Sequence, residues 1–355
     1  HNINMGKLAV YKYISMMFII IQFVLSIFTL VGLWGGSVPP AGNTAMAMLV
    51  YILPMLIIAN TVMLAYWLVR RHWIISIFPL LTILFCIPYI GTIYQPGNQP
   101  ADDETGHGIK IATYNVASFG RETSGFMAQD ILSEMKKHHV DVLCMQEYSD
   151  ISGDKLNSNS YKDYFPYMAT GNRDMVIYSK YPIGKKKNIP FDETNNSAMW
   201  AYIDVNGKTI RIFNVHLETT GFNRTMHRVA KLERNGIRVE NNNIISAIYD
   251  NYTLGMIIRS GQATTVTNER QQSPVPSIVC GDFNDVPYSY VYNTMLSGMV
   301  DGFKECGNGW MQTYRGKKAV RIDYIFHDKA FKGISYYTKE LTYSDHKPVF
   351  MQIEI

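Results

Sequence analysis

Between residues 13 and 69 the chain contains no Asp, Glu, Lys or Arg, and after Arg70 and Arg71 the next charged residue is Asp102. A stretch that poor in charge does not make the solvated surface of a water-soluble domain. Cysteine is also scarce: four residues in 355, too few and too scattered for a disulfide framework. Cys86 lies in an apolar run, Cys144 and Cys280 lie in strand-like runs as small hydrophobes, and only Cys306 reads as a loop thiol, which argues against a catalytic cysteine. Internal repeats and low-complexity tracts are absent. So is any excess of charge beyond the apolar part. Four of the 33 basic residues (Lys7, Lys12, Arg70, Arg71) and none of the 29 acidic ones precede Asp102, which leaves 29 of each. That balance gives no electrostatic reason to expect sequence-independent binding to a nucleic-acid backbone, although a local basic groove is compatible with it.

What is present before residue 95 is three apolar runs, at 13–33, 45–69 and 73–94. Each reaches the roughly 20 residues that cross a hydrocarbon core. Pro54, Pro79 and Pro88 do not defeat this reading, because membrane helices tolerate proline. A cleaved leader, with Lys7 and Lys12 as its basic flank and Ala45-Met46-Ala47 as its processing site, is the competing reading of the first run. The small-residue site lies too far beyond the apolar run, and another spanning segment follows at once. Lys7, Lys12, Arg70 and Arg71 against an uncharged loop at 35–44 place the N-terminus and the arginine turn in the cytoplasm. Three crossings then put the remainder outside the cytoplasmic membrane. The expected organisation is a three-helix anchor at 1–94, a linker at 95–108 carrying Pro96, Pro100 and an acidic Asp102-Asp103-Glu104, and a folded domain at 109–355.

That domain alternates strand and helix signals. Strands are expected at 109–116, 140–146, 174–179, 199–205, 209–217, 277–280, 322–326 and 349–355, with an amphipathic helix at 126–138 and a longer one at 229–259. About ten strands with helices between them imply an α/β layered architecture.

The most informative stretch is Gly-Asp-Phe-Asn-Asp, where a buried strand runs into a turn built from Gly281, Asp282 and Asn284. In extended chain, residues two apart project to the same side, so Asp282 and Asn284 suit a site where one group moves a proton and the other holds an oxygen. Other strands stop in the same manner. Asn115 follows Ile-Ala-Thr-Tyr, Glu147 follows Val-Leu-Cys-Met-Gln, Asn214 and His216 lie in FNVHLE, Asp323 lies in RIDYIF, and Ser344-Asp345-His346 precedes Lys-Pro-Val-Phe. Polar strand ends gathered on one sheet edge make a site.

Taken together, YNV, QE, DMVIYSKYPI, NVHLE, GDFND, RIDYIF and SDHKPV in this order resemble the endonuclease/exonuclease/phosphatase superfamily, over about residues 109–355. The resemblance implies a DNase I-like four-layer α/β sandwich, two packed mixed β-sheets flanked by helices, here preceded by three transmembrane helices. It also implies a hydrolase of P–O bonds that uses Mg2+, with Mn2+ as a substitute. Glu147 matches the metal-binding glutamate, a hard oxygen ligand for a hard cation, with Asn115 orienting the metal site or a phosphate oxygen. His216 and His346 match the phosphate-contacting histidines, Asp323 would fix the tautomer of His346, and Asp282 with Asn284 would activate water or protonate the leaving oxygen. Ala117 stands where nuclease members often carry a second acidic residue, which points to a single-carboxylate metal site.

For substrate, an outward-facing domain held at a membrane meets lipid head groups at high effective concentration. Asn214, Arg224, His227 and Arg228, and a loop at Thr313-Tyr314-Arg315-Gly316, are candidate contacts. An extracytoplasmic nuclease acting on nucleic acid and a catalytically silent binding module are the alternatives. The expected partners are a phosphate ester and the membrane, and no protein partner is anticipated.

Overall fold

The computed structural model describes residues 2–97, 108–117, 128–148, 163–172, 175–192, 194–221, 229–231, 234, 240–316 and 319–355. The chain divides into two compact units, one carrying the N-terminal helices through Gly91 and the other starting at Thr92.

The first unit is built from α1 (Asn2–Gly35), α2 (Thr44–Val69) and α3 (Trp73–Phe85). Three segments, Val10–Gly35, Thr44–Val69 and Trp73–Ile90, are long and apolar enough to cross a membrane. Their outward residues are large hydrophobes such as Ile27, Met55 and Ile74, while polar side chains are turned inward. Asn60 on α2 donates to Thr29 Oγ1 on α1 at 2.9 Å and accepts from Gln22 at 3.0 Å, and Thr82 on α3 donates to Ser26 at 3.0 Å. Away from water such bonds tie helix to helix, each worth on the order of 1 kcal/mol. Gly35 permits the closest approach: a Cβ there would lie 2.4 Å from the Met46 carbonyl oxygen.

The second unit carries β1 (Tyr94–Gln95), β2 (Ile109–Asn115), β3 (Val142–Gln146), β4 (Tyr167–Thr170), β5 (Val176–Ser179), β6 (Ile183–Pro190), β7 (Ser197–Val205) and β8 (Lys208–His216). After the helix Asn241–Gln271 come β9 (Ser277–Asp282), β10 (Met299–Asp301), β11 (Gly309–Trp310), β12 (Asp323–Asp328), β13 (Lys332–Thr338) and β14 (Val349–Glu354). They form two six-stranded sheets, ordered β10-β12-β9-β8-β7-β6 and β13-β14-β2-β3-β5-β4, with β1 pairing β11 alone. Both large sheets are mixed, because β8 runs parallel to β9 and β2 parallel to β3.

Period-two alternation explains the layering. Along β8, Ile210 and Ile212 enter the apolar layer between the sheets, where they join Ile111, Cys144, Cys280 and Ile325. Phe213 and Val215 face the opposite side and pack with Ala263 and Val266 of the helix Asn241–Gln271. The second sheet repeats the pattern, with Ala112 and Tyr114 covered by Ile131, Leu132 and Met135 of the helix Ala128–Lys137. Helix, sheet, sheet and helix therefore stack as the expected four layers.

The eight strands expected from sequence are the eight interior ones. Six were missed: β4, β6, β10 and β13, which are the four edges of the two large sheets, and the short pair β1 and β11. An edge strand needs no continuous apolar run, and β6 carries three consecutive exposed lysines, Lys185 to Lys187. Residues 229–231 and 234 are helical as expected, and the long helix runs beyond the expected end at 259. Its buried positions Met256, Arg259, Ala263 and Val266 recur at spacings of 3 and 4 and carry it to Gln271. The threonines there have low intrinsic helix propensity, which packing overrides. Thr92 to Gln95 belongs with the second unit, and most of the linker expected at 95–108 (residues 98–107) lies outside the described residues.

Candidate active site

The inward rows of the inter-sheet layer change from apolar to polar at one end. Ile278 and Cys280 on β9 lead to Asp282, Ile210 and Ile212 on β8 lead to Asn214 and His216, and Ile111 on β2 leads to Thr113 and Asn115. Register then sets three of these side by side: His216 is opposite Asp282 across β8–β9, and Asp323 is opposite Asp282 across β9–β12. The other sheet brings Asn115 level with Gln146, and Glu147 follows directly.

Asp282 is the centre. Its Oδ2 accepts from Asn115 Nδ2 at 3.0 Å, and lies 3.7 Å from His346 Nε2 and 3.9 Å from His216 Nε2. Its Oδ1 accepts the Asn284 backbone N–H at 2.8 Å. Asn115 Nδ2 also reaches Glu147 Oε1 at 3.0 Å, and His216 Nε2 lies 3.6 Å from that same oxygen. Nε2 of His216 is buried and has no hydrogen-bond partner among the described residues, which leaves it for a ligand. Glu147 is the open member, its side chain 38% exposed against 1% for Asp282.

His346 is held from behind. Its Nδ1 lies 3.0 and 3.2 Å from the two oxygens of Asp323, an arrangement that fixes the ring and leaves Nε2 toward Asp282. Burial alone would depress this imidazole, but the carboxylates of Asp323 and Asp282 outweigh it and raise its pKa to about 10. Asp282 is raised to about 6, first by burial and then by Asp323, against the lowering pull of His346, His216 and the Asn115 bond. The buried cluster thus pairs an imidazole held above its usual range with a carboxyl also held above its own.

Backbone shape is part of the site. Glu147 and Asn284 both have φ 52° and Ala117 has φ 44°, left-handed conformations uncommon outside glycine. Asn115 Oδ1 accepts the Ala117 N–H at 3.0 Å, and Asn284 Nδ2 donates to the Leu217 carbonyl at 2.9 Å, bonds that hold these turns. At Gly281, φ is 138° and a Cβ would sit 1.9 Å from the Val215 carbonyl oxygen, so β8 and β9 approach closely only because no side chain is there.

Asn115, Glu147, His216, Asp282, Asn284, Asp323 and His346 are therefore brought together in the structure. Asn214 is not among them. It is fully buried, donates to the Met145 and Val176 carbonyls at 2.9 and 3.0 Å and accepts from Gln146 at 2.6 Å, so it pins one sheet to the other instead of meeting substrate. Arg224, His227 and Arg228 lie outside the described residues. Two hydroxyls that the sequence placed in a candidate contact loop and in the Ser344-Asp345-His346 motif prove to be supports of the site. Thr313 Oγ1 accepts the N–H groups of Ile322 and Asp323, both at 3.0 Å, and Ser344 donates to the Asn115 carbonyl at 2.8 Å while accepting the His346 N–H at 3.0 Å. The Ile322, Asp323 and Asn115 partners come from other strands and leave no signal in spacing, while the His346 contact is local, two residues on. The candidate loop at Thr313 also sets the Tyr314 ring edge-on to His346, centroids 5.0 Å apart.

Two mixed sheets flanked by helices, with a carboxylate–imidazole cluster at one end of the inter-sheet layer, define a four-layer α/β sandwich with a candidate acid–base site. Residues 112–346 match the model of the Endonuclease/Exonuclease/phosphatase family, and the chain belongs to that family. Residues 15–93 match a second model, a domain of unknown function (DUF8431). No curated protein matches the chain by sequence. Among solved structures it is similar to D. rerio TDP2 humanized by 14 mutations, with 16% identity and a TM-score of 0.51 over 70% of this chain and 99% of that one. It is also similar to an endonuclease/exonuclease/phosphatase from Beutenbergia cavernae, with 16% identity and a TM-score of 0.50 over 70% and 72% of the two chains.

Proposed function

We propose that this chain is a membrane-embedded, divalent-metal-dependent phosphoesterase acting on phosphate esters of lipid head groups. The observation that carries the chemistry is the convergence of Asn115, His216 and His346 on one buried Asp282 oxygen within 3.9 Å. Ionised Asp282 takes a proton from the attacking water, and the Asn284 N–H on its other oxygen keeps the carboxylate aimed. Protonated His346, backed by Asp323, and His216, with its free Nε2, donate to the phosphoryl oxygens as charge gathers on them.

The donor set fits a hard cation such as Mg2+, which keeps most of its waters and takes one or two carboxylates. Glu147 would hold it, because its carboxylate is the open member of the cluster and accepts only the Asn115 amide within hydrogen-bond distance among the described residues. Asp282, Asp323 and His346 also bring ligand atoms within 4.8 Å of one another. Both Asp323 oxygens already lie within 3.2 Å of His346 Nδ1, however, and a cation there would compete with that contact. When bound, the cation screens the charge of the phosphate and lowers the barrier to attack.

The three apolar helices support the substrate class, and the basic residues flanking them support an extracytoplasmic catalytic domain. The test is turnover by full-length protein in vesicles, with Mg2+ and then with chelator. The panel is sphingomyelin, glycerophospholipids, inositol phosphates, and single- and double-stranded DNA and RNA, with an Asp282→Ala, His346→Ala double variant as control. Chelator-sensitive cleavage of a lipid, absent in the variant, is the expected result. Cleavage of nucleic acid alone would replace the lipid reading with a nuclease.

A further inference from the structure

The second unit begins with a segment fastened to a buried base. Arg321 Nη1 donates to the Thr92 carbonyl at 3.0 Å, and the Met311 N–H donates to the Ile93 carbonyl at 3.0 Å. The next two residues form β1, in which Tyr94 pairs with Trp310 and Gln95 with Gly309. Arg321 is itself immobile: it is fully buried, bonded to both oxygens of Asp301 at 2.6 and 2.9 Å and packed on the rings of Phe303 and Tyr324. The position of Tyr94, and of Trp310 across from it, is therefore fixed within this unit.

Trp310 is the anomaly. It is 75% exposed, the highest exposure of any described tryptophan, and its only described ring partner is Tyr94, with centroids 5.0 Å apart. An indole of that size is seldom left in water, but Trp and Tyr concentrate where an apolar ring meets lipid and its N–H meets water. The last segment apolar enough to cross a membrane ends at Ile90. The four residues from there to Tyr94 span about 14 Å at full extension.

We infer that Trp310, with Tyr94 beside it, is seated in the head-group region of the bilayer that the three helices cross, so that the catalytic domain docks on lipid through β1 and β11. This rests on the reading that those helices span a membrane. On that reading, chain reach keeps Trp310 close to the interface, and its exposed ring is the surface that lipid covers. The active-site cluster hangs from the same base, because Arg321 and Asp323 are two residues apart at the start of β12.

The test uses the full chain with Cys306→Ser, which leaves Cys86, Cys144 and Cys280 buried, reconstituted in vesicles of phosphatidylethanolamine and phosphatidylglycerol. A nitroxide is placed at Trp310→Cys, at Ile27→Cys inside the first apolar helix and at Lys185→Cys on the exposed edge strand. Collision with oxygen relative to a water-soluble nickel chelate reads depth. The expected ratio at position 310 is at least about threefold above that at 185 and below that at 27, as for a group roughly 5–10 Å into the head-group boundary. A ratio at 310 equal to that at 185, with 27 still protected, overturns the docking. Loss of protection at 27 as well overturns the spanning reading instead. Emission quenching by lipids brominated near the head group keeps residue 310 unlabelled. Trp310→Phe should remove part of the quenched emission, and an unchanged quenched amplitude counts against the inference.

Discussion

Asp323 stands directly across the antiparallel β9–β12 ladder from Asp282, two buried carboxylates on neighbouring strands. Facing like charges disfavour double ionisation, and the protonated His346 between them relieves the repulsion. The rate should therefore rise as the pH passes about 6, where Asp282 loses its proton, and fall as the pH nears about 10, where His346 does. Asp323→Asn removes a charge that raises both groups, so both limbs should move to lower pH. The kcat/KM profiles of wild type and variant check this, and an alkaline limb that stays in place in Asp323→Asn would be at odds with it.

Glu147→Gln keeps the size and the Asn115 neighbour but loses the negative charge offered to the cation. Half-saturation by Mg2+ should shift upward by roughly 10- to 100-fold, the scale seen when support for a metal site is lost. Calorimetric titration with Mg2+ reads this independently of turnover. Unchanged affinity would send the cation to Asp282, Asp323 and His346.

Asn214→Leu separates a binding role from a structural one. The substitution removes the side-chain donor to the Met145 and Val176 carbonyls and one acceptor of the Gln146 amide, which keeps Thr113 Oγ1 at 2.9 Å. The expected cost is about 2–4 kcal/mol in denaturant unfolding, with KM little changed in the protein that remains folded. A raised KM at unaltered stability would restore Asn214 to the substrate.

Gly281→Ala tests the close approach of β8 and β9. With φ at 138° and the Val215 carbonyl oxygen 1.9 Å from the new Cβ, strain and overlap add together. Destabilisation of about 3 kcal/mol or more is expected, read from the unfolding midpoint, together with loss of activity because Asp282 is the next residue.

Much of this molecule is written locally. Charge depletion before Asp102 marks the apolar helices, and continuous apolar runs mark the interior strands, because both are responses of single segments to burial. The edge strands were illegible for the converse reason: β4 and β6 are largely exposed, and what makes them strands is a partner elsewhere in the chain. The same divide runs through the site. Asp282 and His216 announced themselves as polar residues ending apolar strands and Asp323 as a polar residue opening one, whereas the supporting roles of Thr313 and Ser344 depend on backbone groups of Asp323 and Asn115 that arrive from other strands.

Sequence by itself determined which residue types are available and which side of each strand they take, since alternation puts Asn115, His216, Asp282 and Asp323 in phase with the inward apolar rows. Tertiary structure decided their use. Register set His216 and Asp323 on either side of Asp282, and sheet-on-sheet packing brought Asn115 within 3.0 Å of a carboxylate 167 positions away. The same packing turned Asn214, of identical parity, into a bond between sheets, because two residues short of the strand end the opposite sheet is already in contact. Local chemistry fixes the parity of a side chain, and only the meeting of two sheets fixes whether it faces a neighbour or a substrate.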